Sequence, residues 1–200
     1  MKVWFVRHGE TAKNREKLLQ GRSNAPLNKA GEAQAEKVRE YFVSQGIYFD
    51  IVFSSPLIRA VQTAQIITGE NKEIQTDARL LEMDYGPYEG ISLENPPPEI
   101  IRFFSDFVHN PAPDGMESLA QVTRRLGDFL EDIKEEPAEN ILITTHAIAM
   151  KGALEYLTPG SSGSYWSKYI GTCAVYSADY DGQTWSVPDE KFTLVHEPGV

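Results

Sequence analysis

Four basic side chains of this sequence are suited to binding and transferring a phosphoryl group. Each follows closely after a short apolar run, and the four are Arg7, His8, Arg59 and His146. Guanidinium groups match phosphate oxygens in pairs and keep their charge at neutral pH. A neutral imidazole is a nucleophile near pH 7, and a carbonyl oxygen that accepts from its other nitrogen fixes the tautomer. The four residues therefore indicate a phosphate site with a histidine that becomes phosphorylated.

A reaction at such a site also needs a proton for the departing alcohol. Phosphoryl transfer requires in-line positioning and stabilisation of charge on the phosphoryl oxygens, which two arginines and a second histidine can supply in place of a metal. A carboxylic acid can give the proton and later take one from water. Glu82 and Asp84 are the candidates, since both lie in an acidic segment after a short extended stretch. Their chemistry alone leaves the choice between them open.

The apolar runs before these residues predict buried β-strands, because they are short, rich in β-favouring residues and followed by polar turns. The runs lie at residues 3–6, 51–53 and 141–144. Segments in which apolar residues have helical spacing lie at 28–43, 57–67 and 147–157. Strands that alternate with helices imply a mostly parallel sheet covered by helices on both faces. We therefore expect an α/β fold of three layers, with the site beyond the carboxyl ends of the strands.

Residues 92–114 depart from this pattern and predict a small helical cap inserted into the domain. The segment contains three consecutive prolines and then a group of aromatic residues, Phe103, Phe104 and Phe107. These rings are interpreted either as a lid that contacts a ligand or as part of the core. Neither this segment nor the tail from residue 159 onward carries a recognisable motif, so these two parts of the chain are where substrate choice is expected to be made.

Two further elements are predicted after the insertion. Ser118 is placed to cap a helix that packs on the sheet. Strands at 172–177 and 184–187 flank Asp181 and Gly182, a pair typical of a hairpin turn. The chain is therefore expected to end in a β-hairpin.

Composition predicts one globular domain over residues 1–200. Hydrophobic residues make up 41% of the chain and charged residues 24%, and the formal net charge is −10. Binders of nucleic acids and anionic membranes need a surplus of Lys and Arg, so neither partner is expected. Cys173 is the only cysteine, which excludes an internal disulfide, and no apolar run is long enough for a membrane span. We expect a soluble cytoplasmic protein without a metal or other cofactor; its oligomeric state, including a homodimer, stays open.

The residues singled out above belong to motifs that run in order through most of the chain. The series is Arg7-His8-Gly9-Glu10-Thr11 with Asn14, then Gly21, Pro26-Leu27 and Gly31-Glu32-Ala33-Gln34-Ala35, then Ser54-Ser55-Pro56-Leu57 with Arg59-Ala60, then Leu81-Glu82 with Gly86 and Glu89-Gly90, and finally Thr145-His146. At these positions the chain resembles the histidine phosphatase superfamily, in the branch that includes cofactor-dependent phosphoglycerate mutases. The resemblance implies a phosphoglycerate mutase-like fold.

The resemblance also implies a role for each site residue. His8 would be the phosphorylated nucleophile and Glu82 the proton donor, and the phosphate pocket would consist of Arg7, Arg59 and His146. Auxiliary contacts to phosphate or substrate would come from Asn14, Gln20, Gly21 and Arg22. Ala147 stands where the family commonly has glycine, and its amide can reach a phosphate unless a positive φ is required there.

Three functions are compatible with these residues. The leading hypothesis is a metal-independent phosphomonoester hydrolase that forms a phosphohistidine on His8 and acts on a small phosphorylated substrate. A cofactor-dependent phosphoglycerate mutase is the first alternative, although a chain of 200 residues leaves only a modest cap around the pocket. A catalytically silent phosphate-binding module is the second, although the five residues that the resemblance implies for catalysis are all present.

Overall fold

The computed structural model describes residues 1–194 and is built around a six-stranded β-sheet. The strands are β1 (Lys2–Arg7), β2 (Ile51–Ser54), β3 (Gln75–Thr76), β4 (Asn140–Thr145), β5 (Val175–Asp179) and β6 (Asp189–Phe192). They lie in the order β3-β2-β4-β1-β5-β6. Strands β1 to β4 run parallel, whereas β5 is antiparallel to β1 and β6 is antiparallel to β5. The prediction of a mostly parallel sheet is confirmed.

Six α-helices in residues 1–194 accompany the sheet, and four of them cover its two faces. They are α1 (Ala12–Arg15), α2 (Lys29–Ser44), α3 (Ile58–Thr68), α4 (Pro98–Ser105), α5 (Leu119–Asp132) and α6 (Ala147–Leu157). Helices α2 and α3 pack together on one face, and α5 and α6 pack together on the other. The three predicted layers are therefore present. Within residues 1–194 no helix combines the length and the apolar character needed to cross a membrane.

Strand β1 contributes to the core on both faces of the sheet. Val3 and Phe5 belong to the cluster that includes α5 and α6, whereas Trp4 and Val6 belong to the cluster that includes α2 and α3. Successive side chains of a strand point to opposite faces, so a strand covered on both sides must be apolar at every position. This explains the unbroken apolar run at residues 3–6.

Polar side chains mark the helix starts that the sequence predicts. Asn28 caps α2 and Ser118 caps α5, each by accepting from a backbone amide in the first turn. Asn24 serves the start of α3, because its Oδ1 accepts from the amide of Ile58 at 2.7 Å. These bonds satisfy amide groups that have no partner within the helix. Helix α6 spans the predicted residues 147–157.

The inserted segment contains the short helix α4, as predicted. Ile100 and Phe103 of α4 are buried in the larger core cluster, and Phe104 and Phe107 pack against that cluster while remaining partly exposed. The rings of Phe103 and Phe107 meet edge to face with 4.9 Å between their centroids. One phenylalanine is thus a core residue, whereas the other two keep part of their surface exposed.

The C-terminal hairpin is present, but its second strand begins later than predicted. Strand β5 pairs with Asp189–Phe192 rather than with residues 184–187, so the predicted strand at 184–187 is wrong. An isolated bridge joins Tyr180 to Trp185 beside the turn. Pro188 has no amide hydrogen to donate to a neighbouring strand, which explains why regular pairing resumes only after it.

Two glycines let the loop after β1 lie directly against the start of α2. A Cβ atom on Gly31 would overlap the carbonyl oxygen of Glu10, and a Cβ atom on Gly9 would overlap the carbonyl oxygen of Gly31. Both obstacles are backbone atoms, which cannot move without displacing the loop. This close approach therefore helps to position His8, which stands next to Gly9.

Replacing Gly31 by alanine is expected to lower the free energy of unfolding by about 2 kcal/mol, because a methyl group would be forced into a packed backbone contact. At an ordinary helix position the same change would stabilise the protein by up to about 1 kcal/mol. Urea denaturation followed by circular dichroism measures the difference. Gly160→Ala is the control, since a Cβ atom there meets nothing within 4 Å. A Gly31→Ala protein as stable as the wild type would show that the loop after β1 can move to accommodate the methyl group.

Candidate active site

A pocket of about 480 Å³ opens beyond the carboxyl ends of β1 and β4. Its walls come from the ends of these strands, the start of α6, the inserted segment and residues 166–170. Six of the predicted site residues line it, namely Arg7, His8, Asn14, Gln20, Glu82 and Ala147. Ligands of open α/β sheets bind at this position, beyond the carboxyl ends of the parallel strands.

His8 is held so that one of its ring nitrogens is free. Its Nδ1 lies 2.7 Å from the carbonyl oxygen of Gly9, which can only accept, so Nδ1 carries the proton. Nε2 therefore keeps its lone pair. The ring is 3% exposed, and burial together with the charges of Arg59 and Arg7 holds the pKa of His8 well below its usual value. At neutral pH the buried ring is uncharged and has a nucleophilic nitrogen.

His146 lies beside His8, with 5.1 Å between the ring centroids. It is fully buried, and its Nε2 is 2.7 Å from the hydroxyl oxygen of Ser55. Its Nδ1 has no hydrogen-bond partner among residues 1–194. Burial, followed by the charge of Arg59, lowers the pKa of this ring well below its usual value as well. The two imidazoles are thus a neutral pair at neutral pH.

Arg7 and Arg59 place two fixed positive charges around these rings. Nη1 of Arg7 donates to the carbonyl oxygen of Ile170 at 2.5 Å, and both terminal nitrogens of Arg59 donate to backbone carbonyl oxygens at 2.7 Å. The Nε atom of each guanidinium is buried and has no partner in the described part of the chain. Burial lowers the pKa of Arg59 to about 10, so the group remains charged at neutral pH. Each arginine therefore has a donor that an anion can satisfy.

Glu82 lies in the pocket wall, whereas Asp84 does not. The carboxylate of Glu82 accepts from three backbone amides at 2.9 to 3.2 Å, those of Met83, Ile148 and Ala149. Two of these amides belong to the first turn of α6, where unpaired N–H groups attract negative charge. The carboxylate of Asp84 instead faces Arg22 at 3.4 Å. The chemistry of the two residues left the choice of proton donor open. The geometry favours Glu82 over Asp84.

Thr11 orients two amide side chains at the pocket. Its hydroxyl donates to Oε1 of Gln20 at 2.7 Å, and its backbone amide donates to Oδ1 of Asn14 at 3.1 Å. Because both side-chain oxygens are engaged, the NH₂ groups are left as donors. Nε2 of Gln20 is buried without a partner among the residues described.

The polar groups of the pocket suit an anion better than a metal cation. The donors that line it include the guanidinium group of Arg7, the side-chain amides of Asn14 and Gln20 and the backbone amide of Ala147. The acidic side chains that line it are Glu82 and Asp106. Across residues 1–194 no group of three or more His, Cys, Asp or Glu side chains is arranged to hold a metal ion.

Comparison with known sequences identifies the family of this chain. The sequence profile of the histidine phosphatase superfamily (branch 1) matches residues 3–191. The chain belongs to the histidine phosphatase superfamily. The resemblance seen in its motifs is therefore confirmed.

Two relatives and one solved structure extend the match over nearly the whole chain. The uncharacterized phosphatase PhoE of Bacillus subtilis is 31% identical and covers 94% of this chain and 92% of its own length. Phosphoglycerate mutase-like protein 4 of Arabidopsis thaliana is 32% identical and covers 92% of this chain and 82% of its own length. The crystal structure of phosphoserine phosphatase from Entamoeba histolytica with 3-phosphoglyceric acid has a TM-score of 0.82 at 26% identity, covering 96% of this chain and 97% of that one. The expected phosphoglycerate mutase-like fold is confirmed.

The alanine at position 147 of this histidine phosphatase is accommodated without backbone strain. Ala147 is the first residue of α6 and does not have a positive φ, so glycine is not required there. Its amide lies at the N-terminus of α6 beside the pocket, where helix amides attract anions. The departure from the common glycine therefore leaves this contact available.

A turn between α1 and α2 binds the side chain of Arg59 and does not itself line the pocket. The carbonyl oxygens of Gly21 and Ser23 accept from Arg59, whereas the amides of Gly21 and Arg22 donate to the carboxylate of Glu89 at 2.9 and 3.2 Å. Gly21 and Arg22, which were expected to contact the substrate, do not line the pocket, because Glu89 already binds their amides. Glu89 stands in one of the family motifs, but its contact with this turn was not predicted.

Lys151 and Trp166 are among the pocket-lining residues of this histidine phosphatase that sequence reasoning missed. Lys151 lies in α6 one turn after Ala147, and Trp166 lies in the loop that follows α6. The available signal for Lys151 is a charge in the middle of a helix that is otherwise mostly apolar. No local pattern points to Trp166, whose position is set by tertiary packing.

Replacing Glu89 by glutamine is expected to weaken phosphate binding without unfolding the protein. The new NH₂ group would face a backbone amide, so the turn and its hold on Arg59 would loosen. We expect KM for p-nitrophenyl phosphate to rise about tenfold, which corresponds to about 1.4 kcal/mol, with a smaller change in kcat. Glu36→Gln is the control, since Glu36 pairs with Arg39 on the surface of α2. Unchanged kinetics would mean that the turn binds Arg59 equally well without the contact from Glu89.

Proposed function

We propose that this protein is a metal-independent phosphomonoester hydrolase that works through a phosphohistidine on His8. The observation that carries the proposal is the hydrogen bond from Nδ1 of His8 to Gly9, which leaves Nε2 as the nucleophilic atom in a pocket rich in donors. Membership of the histidine phosphatase superfamily and likeness to a phosphoserine phosphatase support the same function.

The reaction consists of two displacements at phosphorus. In the first, Nε2 of His8 attacks, the bond between phosphorus and the alcohol oxygen breaks, and Glu82 gives its proton to the departing alcohol. In the second, water attacks phosphorus, Glu82 takes a proton from the water, and the phosphorus–nitrogen bond breaks to release inorganic phosphate. The charge on the phosphoryl oxygens is stabilised in both steps by Arg7, Arg59 and His146. The remaining contacts come from Asn14, Gln20 and the amide of Ala147.

The substrate is a small phosphorylated molecule of the cytoplasm. A pocket of about 480 Å³ lies within the usual range for small-molecule sites. The net charge of −10 disfavours nucleic acid and anionic membranes as partners, and the single cysteine suits a reducing compartment.

A cofactor-dependent phosphoglycerate mutase is the second candidate, because the chain is 32% identical to phosphoglycerate mutase-like protein 4. A mutase must shield its phosphohistidine from water until the phosphoryl group is returned. Supplying 3-phosphoglycerate with a trace of 2,3-bisphosphoglycerate separates the two functions. Fast isomerisation with little free phosphate would establish the mutase, whereas release of phosphate would establish the hydrolase.

Hydrolysis of p-nitrophenyl phosphate in the presence of EDTA is the first test of the proposal. We expect turnover, and rapid quenching followed by mass spectrometry is expected to find an acid-labile phosphate on the peptide that contains His8. His8→Ala should remove both the label and the activity while leaving the circular dichroism spectrum unchanged. Activity in His8→Ala would refute the nucleophile assignment. Binding of vanadate without any turnover by the wild type would instead establish a silent module.

Replacing Glu82 by glutamine is expected to slow hydrolysis most for substrates whose leaving group must be protonated. Hydrolysis of glycerol 3-phosphate, which releases a basic alkoxide, should fall about 100-fold or more, within the usual range for general acid catalysis. Hydrolysis of p-nitrophenyl phosphate should fall less than about tenfold, because p-nitrophenolate leaves without a proton. Asp84→Asn is the matched control and should slow neither substrate. Equal slowing of both substrates by Glu82→Gln would assign Glu82 a structural role.

A further inference from the structure

Arg125 is a largely buried arginine of α5 that the proposed reaction does not use. Its side chain is 15% exposed, and its Nε and Nη2 atoms donate to the carboxylate of Glu117 at 2.7 and 3.0 Å. Its Nη1 atom donates to two backbone carbonyl oxygens, those of Arg79 and Leu81, at 2.6 Å each. Four of the five N–H groups of this guanidinium therefore have acceptors.

The two carbonyl groups bound by Arg125 belong to the segment that carries Glu82. The carbonyl oxygen of Leu80, which lies between them, accepts from the hydroxyl of Thr145 at 2.8 Å. Three consecutive carbonyl groups directly before Glu82 are thus bound by side chains of α5 and β4. These side chains fix the backbone from which the carboxyl group of Glu82 projects.

Glu117, the partner of Arg125, binds the same segment on the other side of Glu82. Its Oε2 accepts from the amide of Asp84 at 3.1 Å, and its own amide donates to the carbonyl oxygen of Asp84 at 2.8 Å. The side chain of Glu117 is 10% exposed, so water and salt screen its pairing with Arg125 only weakly. The pair of Arg125 and Glu117 therefore holds the segment from residue 79 to residue 84.

The placement of this segment matters because a general acid must lie within hydrogen-bond reach of the oxygen that it protonates. A displacement of about 1 Å can cost about 100-fold in rate. We propose that Arg125 is a positioning residue that holds the carboxyl group of Glu82 within reach of the leaving oxygen by binding the carbonyl groups of Arg79 and Leu81. The inference rests on the proposed function, in which Glu82 is the proton donor.

Arg125→Lys tests this inference, because it keeps the positive charge beside Glu117 but replaces three nitrogen atoms by one. We expect kcat for glycerol 3-phosphate to fall about tenfold or more. For p-nitrophenyl phosphate kcat should fall less than about threefold, because p-nitrophenolate leaves without a proton. Arg124→Lys is the matched control and should change neither rate, since Arg124 is exposed on α5 and does not line the pocket. Equal slowing of both substrates by Arg125→Lys would overturn the inference.

The double variant of Arg125→Lys and Glu82→Gln separates an effect through Glu82 from an independent one. Residues that belong to one hydrogen-bonded network have effects that do not add. Once the carboxyl group has been removed, Arg125→Lys should slow hydrolysis of glycerol 3-phosphate less than about twofold further. Losses that multiply in the double variant would show that Arg125 acts without Glu82, and would also overturn the inference.

Glu117→Gln is the second variant if Arg125→Lys does not fold. It removes the carboxylate that orients the guanidinium group of Arg125 and leaves that arginine in place. We expect the same selective loss for glycerol 3-phosphate. A loss of the same size for p-nitrophenyl phosphate would contradict the positioning role.

Crystal structures of the wild type and of Arg125→Lys, or of Glu117→Gln in its place, judge the positioning role without turnover. We expect the Glu82 carboxylate to move by about 1 Å relative to His8 in the variant, and an unmoved carboxylate would reject the role of Arg125. The proposed function is judged separately by hydrolysis of p-nitrophenyl phosphate by the wild type. Failure of that reaction together with a displaced Glu82 in the variant would reject the hydrolase and keep the role of Arg125.

Discussion

The hydrogen bond between Nδ1 of His8 and the carbonyl oxygen of Gly9 lies in the loop after β1, which approaches the start of α2 closely. That approach is possible because neither Gly9 nor Gly31 has a side chain. The bond selects the ring tautomer, and the tautomer decides which nitrogen has a lone pair in the pocket. A backbone carbonyl group in this closely packed loop thus determines which nitrogen of His8 can react.

Positive charge persists in the pocket although the whole chain is acidic, with a net charge of −10. Arg7, Arg59 and Lys151 donate to backbone carbonyl oxygens, which are dipoles and do not cancel a full charge. Buried donors without partners remain on both arginines. A phosphorylated ligand is therefore attracted by groups close to its binding site rather than by the overall charge of the protein.

Much of the fold could be predicted because its signals are local. The strand at 3–6 is apolar at every position because helices cover both faces of the sheet, and Asn28 and Ser118 mark the starts of α2 and α5. The strand predicted at 184–187 was wrong because the turn signal at Asp181 and Gly182 does not show where a partner strand can pair. Within the site, the motifs predicted His8 and Glu82 at the pocket, but not the contact of Glu89 with the turn that holds Arg59.

The sequence by itself determined the family, the alternation of strands and helices and the identity of the basic residues after the strands, because each depends on residue types within a few positions of one another. The tertiary structure alone decided that Glu82 rather than Asp84 enters the pocket and that the amides of Gly21 and Arg22 are occupied. It also placed Lys151 beside Trp166. These outcomes depend on which surfaces pack together when distant segments of the chain meet. The spacing of residues within one segment does not predict that packing.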